Sequence, residues 1–377
     1  MQHFSYMPKF GILSTYAPTP CGIATFSAAL ADGLVNGAAK VNVVRIADHE
    51  ATDEDDVVGE LVNGSQASII ETAELLNRND IAVIQHEFGI YGGPDGDEVI
   101  QIMENLRVPA IVVAHTVLNK PTPQQHSVLE RVVKLADQVV VMSEIARTRL
   151  VEAYPAERHK VVTIPHGADL PKTTALMRSA RPTILTWGLI GPGKGIERVI
   201  DAMAVLKDLP GAPRYLVAGR THPKVLAAEG EAYRDALVAR ASRLGVAGSV
   251  TFDSTYRSAD ALTTLILQAS VVVLPYDSTE QVTSGVLVDS VATGRPVVAT
   301  AFPHAVELLG PGAGLVVPHD DPDAMVNALR KVLTDPRVAG TMASQARELA
   351  PTMAWHVIAD AYLSVARRLV AARTARA

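Results

Sequence analysis

Short apolar runs and longer amphipathic stretches alternate along the whole chain. In the first half the runs Phe10 to Ser14, Val41 to Ile46, Ile81 to Gln85, Ala110 to Ala114, Gln138 to Met142 and Lys160 to Ile164 are rich in Val and Ile, and continuous rather than alternating. That is the pattern of parallel strands covered on both faces. Between them apolar residues return at helical spacing, as in Ile23, Phe26, Leu30 and Leu34. After the polar segment Pro171 to Arg181 a second series reads Thr183 to Trp187, Arg214 to Ala218, Ser249 to Phe252, Val271 to Leu274, Pro296 to Thr300 and Gly314 to Val317. The order predicts two doubly wound α/β domains, each a parallel sheet with helices on both sides. The expected domains are residues 1–170 and 171–354, with the link between Gly167 and Arg181 and a closing helix over 355–377 that packs back on the N-terminal domain. That helix ends in Arg367, Arg368, Arg373 and Arg376. A basic amphipathic helix can make weak peripheral contact with a membrane surface. The preferred reading is a helix packed across both domains with its arginines in water.

Composition narrows the classes. With 377 residues and 48% hydrophobic side chains, the chain can bury large cores. No apolar run is long enough to cross a bilayer, and Met1 to Lys9 lacks the pattern of a secretory signal. Cys21 is the only cysteine, which excludes an internal disulfide and a cysteine metal cluster. These features favour the cytoplasm. A formal net charge of −6 argues against general nucleic-acid binding.

Candidate chemistry sits where strands end. The richest segment follows Leu274: Glu280, Gln281, Val282, Thr283, Ser284, Gly285, Val286 and, one and a half turns into the next helix, Asp289, running on to Gly294-Arg295-Pro296-Val297-Val298. Backbone N–H groups around Ser284 and Gly285 can meet an anion at a helix start, and the Asp289 carboxylate can reach a ribose. The run Gly188-Leu189-Ile190-Gly191-Pro192-Gly193-Lys194-Gly195 nearly fits a Walker loop, but Gly195 stands where that motif needs Ser or Thr. The missing hydroxyl argues against an ATPase, while a phosphate site with Lys194 is retained. Arg220 is either a second phosphate cation or a surface arginine. In the first half, Gly22 opens a helix and gives a ligand access to the backbone. His86 and Glu87 precede a Gly-rich loop. His115 ends the next strand, where it either donates to a sugar hydroxyl or binds a metal with His86 and Glu87. None of the spaced His-Glu motifs of zinc enzymes supports the metal reading. His166 reads as the cap of the interdomain turn.

With these residues in place, the chain resembles a family 4 retaining glycosyltransferase of the GT-B fold, in a bacterial subgroup. The resemblance rests on Gly22, His115, Pro165-His166-Gly167, Gly188 with Lys194-Gly195, Asp289 with Gly294 to Val298, and Ala354-Trp355 before the final helix. It covers nearly the whole chain. It implies two Rossmann-like domains facing a cleft, an acceptor side before the linker and a donor side after it, with the C-terminal helix crossing between them. It also implies transfer of a sugar from a nucleoside diphosphate sugar to a hydroxyl of a saccharide, glycolipid or small molecule. No cofactor and no metal are implied, because cations hold the diphosphate. Lys194 takes the diphosphate, Asp289 the place of the ribose-binding glutamate, and Gln281, Ser284, Gly285 and Val286 the donor sugar and phosphate. Gly22 gives room beside the diphosphate, and His115 touches the donor sugar. The departing phosphate acts as base, so Glu87 is not assigned as nucleophile; His86 and Glu87 are placed on the acceptor side.

Three departures from the family pattern stand out. Counting back from Asp289, the first carboxylate position holds Gln281, with Glu280 one residue early. Asp289 is one methylene short of glutamate. Leu189 occupies the place of the phosphate-binding arginine, for which Arg220 is a substitute. Leu189 and Gln281 also support a rival reading, a nucleotide-sugar-binding protein that has lost activity. A sugar-nucleotide epimerase ranks last, since its carboxylates and histidines are not evident.

Overall fold

The computed structural model describes residues 6–48, 52–154, 158–171, 181–255 and 257–375. The chain divides into two compact units: one runs up to Gly167 and resumes at Trp355, and the other is Ala168–Ala354. The expected linker lies largely in 172–180, outside the described residues, as do Arg376 and Tyr256.

In the first unit the elements are β1 (Lys9–Ser14), α1 (Gly22–Asn36), β2 (Lys40–Ile46), β3 (Val57–Leu61), α2 (Gln66–Leu76), β4 (Ile81–His86), α3 (Glu98–Glu104), β5 (Ala110–Ala114), α4 (Pro123–Leu135), β6 (Gln138–Val141), α5 (Glu144–Ala153) and β7 (Val161–Thr163). The strands form a seven-stranded parallel sheet in the order β3-β2-β1-β4-β5-β6-β7. Strands β4, β5 and β6 are buried along their whole length, which explains their unbroken apolar runs. The expected strands are present, and β3 is additional. It is an edge strand with alternating exposure and a register shift against β2, so no continuous apolar run announces it. Helix starts are fixed by side-chain caps: Ser65 for α2, Ser143 for α5, and a reciprocal Thr122–Gln125 box for α4.

The second unit holds β8 (Thr183–Trp187), α6 (Ile196–Leu206), β9 (Arg214–Ala218), α7 (Pro223–Glu229), α8 (Ala232–Arg243), β10 (Val250–Asp253), α9 (Ala259–Gln268), β11 (Val271–Leu274), α10 (Gly285–Ala292), β12 (Val297–Thr300), α11 (Pro303–Leu309), β13 (Gly314–Val317), α12 (Pro322–Thr334) and α13 (Pro336–Leu349). Its six parallel strands are ordered β10-β9-β8-β11-β12-β13. In each sheet the order reverses once, between β1 and β4 and between β8 and β11. Beyond the carboxyl ends of strands at such a reversal lies the crevice where open α/β sheets take ligands.

The last helix, α14 (Trp355–Thr374), belongs to the first unit. Its Ile358, Ala359, Tyr362, Leu363 and Ala366 share one core with Phe10, Phe26, Leu30 and Leu34. Arg367, Arg368 and Arg373 are exposed. No helix among the described residues is long and apolar enough to cross a membrane.

Candidate functional site

The sequence-flagged residues fall into two groups, one at the strand ends of each sheet. In the second unit, β8 ends at Trp187, and the loop that begins at Gly188 returns as α6. The N-cap of α6 is Gly195, at φ 64°. A Cβ there would stand 1.8 Å from the Pro275 carbonyl oxygen. The departure from the Walker motif thus has a steric cause: the loops leaving β8 and β11 touch at this atom, and the Asp277 N–H donates to the Gly193 carbonyl at 2.9 Å. The β9 exit is equally close, since a Cβ on Gly219 would lie 1.8 Å from the Gly188 oxygen.

Lys194 rides on this scaffold with its Nζ 4.5 Å from the centroid of the Tyr276 ring. Tyr276 is stacked in turn on Phe302 at 5.3 Å. The aromatic face holds the ammonium by its quadrupole and leaves the donor protons directed elsewhere. Among the described residues no carboxylate pairs with Lys194, although Arg198 nearby is paired with Asp277 at 2.7 Å. Arg220 is exposed, and its carbonyl accepts the Ile190 N–H at 2.8 Å. Leu189 beside it is half-buried.

Ser284 caps α10, its hydroxyl accepting the Leu287 N–H at 3.3 Å, while its own N–H donates to Nδ1 of His304 at 2.9 Å. The Ser284 N–H is therefore engaged within the protein, while its hydroxyl serves the cap as an acceptor and keeps its own proton to donate. The following N–H groups, Gly285 and Val286, are the first-turn amides that an intrahelical ladder leaves open. Gln281 donates its side-chain N–H to the Thr283 carbonyl at 3.0 Å, and its own carbonyl accepts the His304 N–H at 3.2 Å. Glu280 is half-buried, with its N–H donating to the Ser278 hydroxyl at 3.2 Å.

Asp289 sits one and a half turns into α10. Its side chain keeps some contact with water, yet burial pushes its carboxyl up to about 7, and the charge of Asp169 adds to the push. Among the described residues no hydrogen-bond donor meets that carboxyl. An unpaired, half-buried carboxyl is costly to keep ionised, and a hydrogen-bond donor is what it lacks.

In the first unit, Gly22 lies at the first position of α1, where a Cβ would meet nothing within 4 Å. Protein packing does not demand the glycine, and open space lies beside it. At the next strand ends, the His115 N–H donates to the His86 carbonyl at 3.0 Å, and the His115 Nε2 lies 2.7 Å from the Gln85 side-chain oxygen. Phe26 presents its ring to His115 at 5.1 Å, His166 at 5.0 Å and Trp355 at 5.3 Å. Burial holds the imidazoles of His86, His115 and His166 down to about 4, 3 and 4, so all three are neutral at pH 7. His166 donates from Nδ1 to the Gly167 carbonyl at 2.6 Å. Glu87 is turned onto its own loop, accepting the Gly89 N–H at 2.7 Å. Its carboxylate thus shapes the turn. No group of three His, Cys, Asp or Glu among the described residues is arranged to hold a metal ion.

Sequence reasoning passed over Tyr276 as a seat for Lys194, over Phe302 beneath it, and over His304. Nothing local marks them, because only the β12–α11 corner brings Phe302 and His304 against the β11 exit loop.

Two family models match the chain, Glycosyltransferase Family 4 over residues 21–172 and Glycosyl transferases group 1 over residues 175–349. A D-inositol 3-phosphate glycosyltransferase of Mycolicibacterium vanbaalenii is 30% identical over 71% of this chain and 64% of its own length. The enzyme of that name from Saccharomonospora viridis is 30% identical over 70% of this chain and 66% of its own. The chain thus spans slightly under two thirds of these relatives. Among solved structures, a glycosyltransferase from Rickettsia africae superposes with TM-score 0.78 at 14% identity, covering 97% of this chain and 99% of that one. A sucrose-phosphate synthase from Thermosynechococcus elongatus gives 0.74 at 19%, over 97% and 100%. Anabaena HepE in complex with UDP gives 0.75 at 17%, over 96% and 100%. At such identities the structures speak for the fold, two Rossmann-like domains of the GT-B class.

Proposed function

The chain belongs to glycosyltransferase family 4, and from that premise we propose that it moves a sugar, with retention of configuration, from a nucleoside diphosphate sugar to an acceptor hydroxyl. The observation that carries the reading is the pairing, at one strand reversal, of an ammonium held on an aromatic face with an unpaired carboxyl two loops away: Lys194 over Tyr276, and Asp289.

The chemical difficulty in such a transfer is departure of the diphosphate, on whose oxygens negative charge gathers as the glycosidic bond breaks. Lys194 and the amides of Gly285 and Val286 stabilise that charge, and a preorganised donor of this kind contributes about 3 kcal/mol. Asp289 accepts the ribose hydroxyls. The β11 exit loop carries the sugar, with Gln281 offering an amide oxygen where the family pattern has a carboxylate. Arg220 completes the cation set in place of the arginine whose position Leu189 occupies. In the first unit Gly22 leaves room for the diphosphate, and neutral His115 meets the donor sugar as a hydrogen-bonding group rather than as a cation. His86 and Glu87 shape the acceptor side. In this reading charge neutralisation by protein groups replaces a metal, and the protein works in the cytosol.

HepE and its neighbour complexes carry UDP and UDP-glucose, which makes uridine nucleotides the first donors to try. The test is isothermal titration with UDP, GDP and ADP in the presence of a chelator, followed by release of nucleoside diphosphate with a panel of saccharide, lipid and small-molecule acceptors. Tight binding of one base with turnover supports the proposal. Binding without turnover on any acceptor favours the degenerate binding protein, and no binding at all removes the donor site.

A further inference from the structure

The segment from Pro275 to Ser284 carries no regular structure, yet the proposed reaction needs it to hold a sugar to within a fraction of an ångström. Its first half is anchored on three sides. The Asp277 N–H reaches the Gly193 carbonyl at 2.9 Å, the Asp277 carboxylate pairs with Arg198 at 2.7 Å, and His319 donates from Nε2 to the Ser278 carbonyl at 3.2 Å. A distant residue also closes its second half. His304, 4% exposed in the first turn of α11, gives its backbone N–H to the Gln281 carbonyl at 3.2 Å and takes the Ser284 N–H on Nδ1 at 2.9 Å.

Resting on the donor-site reading above, we propose that His304 is the positioning residue of the sugar-holding loop, clamping Gln281 and Ser284 together and setting the aim of the α10 amides. The chemistry is specific. Nδ1 accepts a backbone N–H, so the ring is held in the tautomer whose proton is on Nε2. Ser284 is the N-cap, so its amide fixes where the Gly285 and Val286 amides point. Ser284 is itself buried, and losing the acceptor would leave its N–H without a partner, a state the loop escapes only by moving. The clamp is also built on a stiff corner. The Thr300 hydroxyl, four residues earlier, holds the Tyr276 carbonyl at 2.6 Å, and Phe302 supports the Tyr276 ring under Lys194. The same corner thus steadies the lysine and the loop.

The test uses the full chain with His304→Leu, which removes the acceptor, and His304→Asn, whose side-chain oxygen sits at the same branch position as Nδ1. Two readouts are taken. Hydrogen exchange of residues 281–288 needs no ligand; we expect the Ser284 amide to be protected in the parent, to exchange at least about tenfold faster in the Leu variant, and to recover in the Asn variant. Turnover of UDP-glucose, compared with the affinity for UMP, reads the function. UMP reaches only the ribose and first-phosphate groups, so its affinity should change less than about twofold while kcat falls about tenfold or more in the Leu variant and returns in the Asn variant. If the Leu variant does not fold, His304→Gln, with its amide one carbon too far, replaces it. Unchanged exchange and unchanged kcat in the acceptor-less variant overturn the proposal, as does an Asn variant as impaired as the Leu one. Normal clamping by exchange in a parent that binds none of UDP, GDP and ADP would instead sink the donor reading and leave the clamp standing.

Discussion

Asp289 gives the donor-site reading its sharpest consequence. Its carboxyl is held up to about 7 in the free protein by burial and by Asp169. The ionised form can accept both ribose hydroxyls, whereas the neutral acid has already placed a proton on one oxygen. Binding must therefore remove that proton, and below about pH 7 the removal opposes binding by up to tenfold per unit. Between pH 7.5 and 5.5 the ionised fraction falls roughly 25-fold, and the affinity for UDP-glucose, whose own phosphates do not titrate there, should fall by about the same factor. Asp289→Asn should bind more weakly at pH 7.5 and show a flat profile. The same shift has a folding counterpart. Because the folded state holds the proton more tightly than the ordinary value of 3.8, stability is greatest at low pH and declines as pH rises through about 7. The ceiling is about 4 kcal/mol, lowered by the side chain's remaining contact with water. The Asn variant should thus raise the Tm most at pH 8, less than half as much at pH 5, and change it little only below about pH 4. Calorimetric titration across that range is the assay. A parent affinity that is flat with pH, or an Asn variant that keeps the slope, would refute the assignment of Asp289 to the ribose.

Further outcomes follow from other contacts. Lys194→Ala should lower turnover about a hundredfold with little effect on Tm, and Tyr276→Leu should cost several-fold by removing the aromatic seat; steady-state kinetics read both. Gly195→Ser, which would complete the Walker pattern, should destabilise by about 2 kcal/mol or more, because its Cβ collides with the Pro275 carbonyl; denaturant unfolding measures this. His86, His115 and His166 titrate near 4, 3 and 4 when folded and near 6.5 when unfolded, so the unfolded chain binds more protons between those values. The first unit should lose stability as pH falls below about 6.5 while the second gains from Asp289, and scanning calorimetry between pH 7 and 5 should show the two trends diverging.

Much of the fold was legible because a parallel strand buried on both faces leaves an unbroken apolar run, as in Ile81 to Gln85 or Val271 to Leu274. β3 was not, because an edge strand such as Val57–Leu61 is wet on alternate positions and reads as loop. Position and type singled out Lys194 on the β8 exit loop, Asp289 in the helix after β11 and His115 just past β5. They did not single out the supports. Phe302 lies well beyond Lys194 in sequence and His304 beyond Ser284, and neither stands in a motif. Ser284 illustrates the limit most clearly. Its place at a helix start suggested a ligand contact, whereas its hydroxyl and its N–H serve the helix cap and His304.

The placement of α14 bears on how the molecule is made. Phe26 is contacted by Trp355, and the core that holds Phe10, Leu30 and Leu34 is completed by Ile358, Tyr362 and Leu363. A ribosome delivers these partners only after the second unit. The second unit, Ala168–Ala354, is continuous and emerges whole before them. During synthesis it therefore has every contact it needs while the earlier-made first unit still lacks one wall of its core. Completion of the first unit's core then waits on synthesis of the second, and the nascent chain must keep its N-terminal sheet from aggregating until α14 has been made.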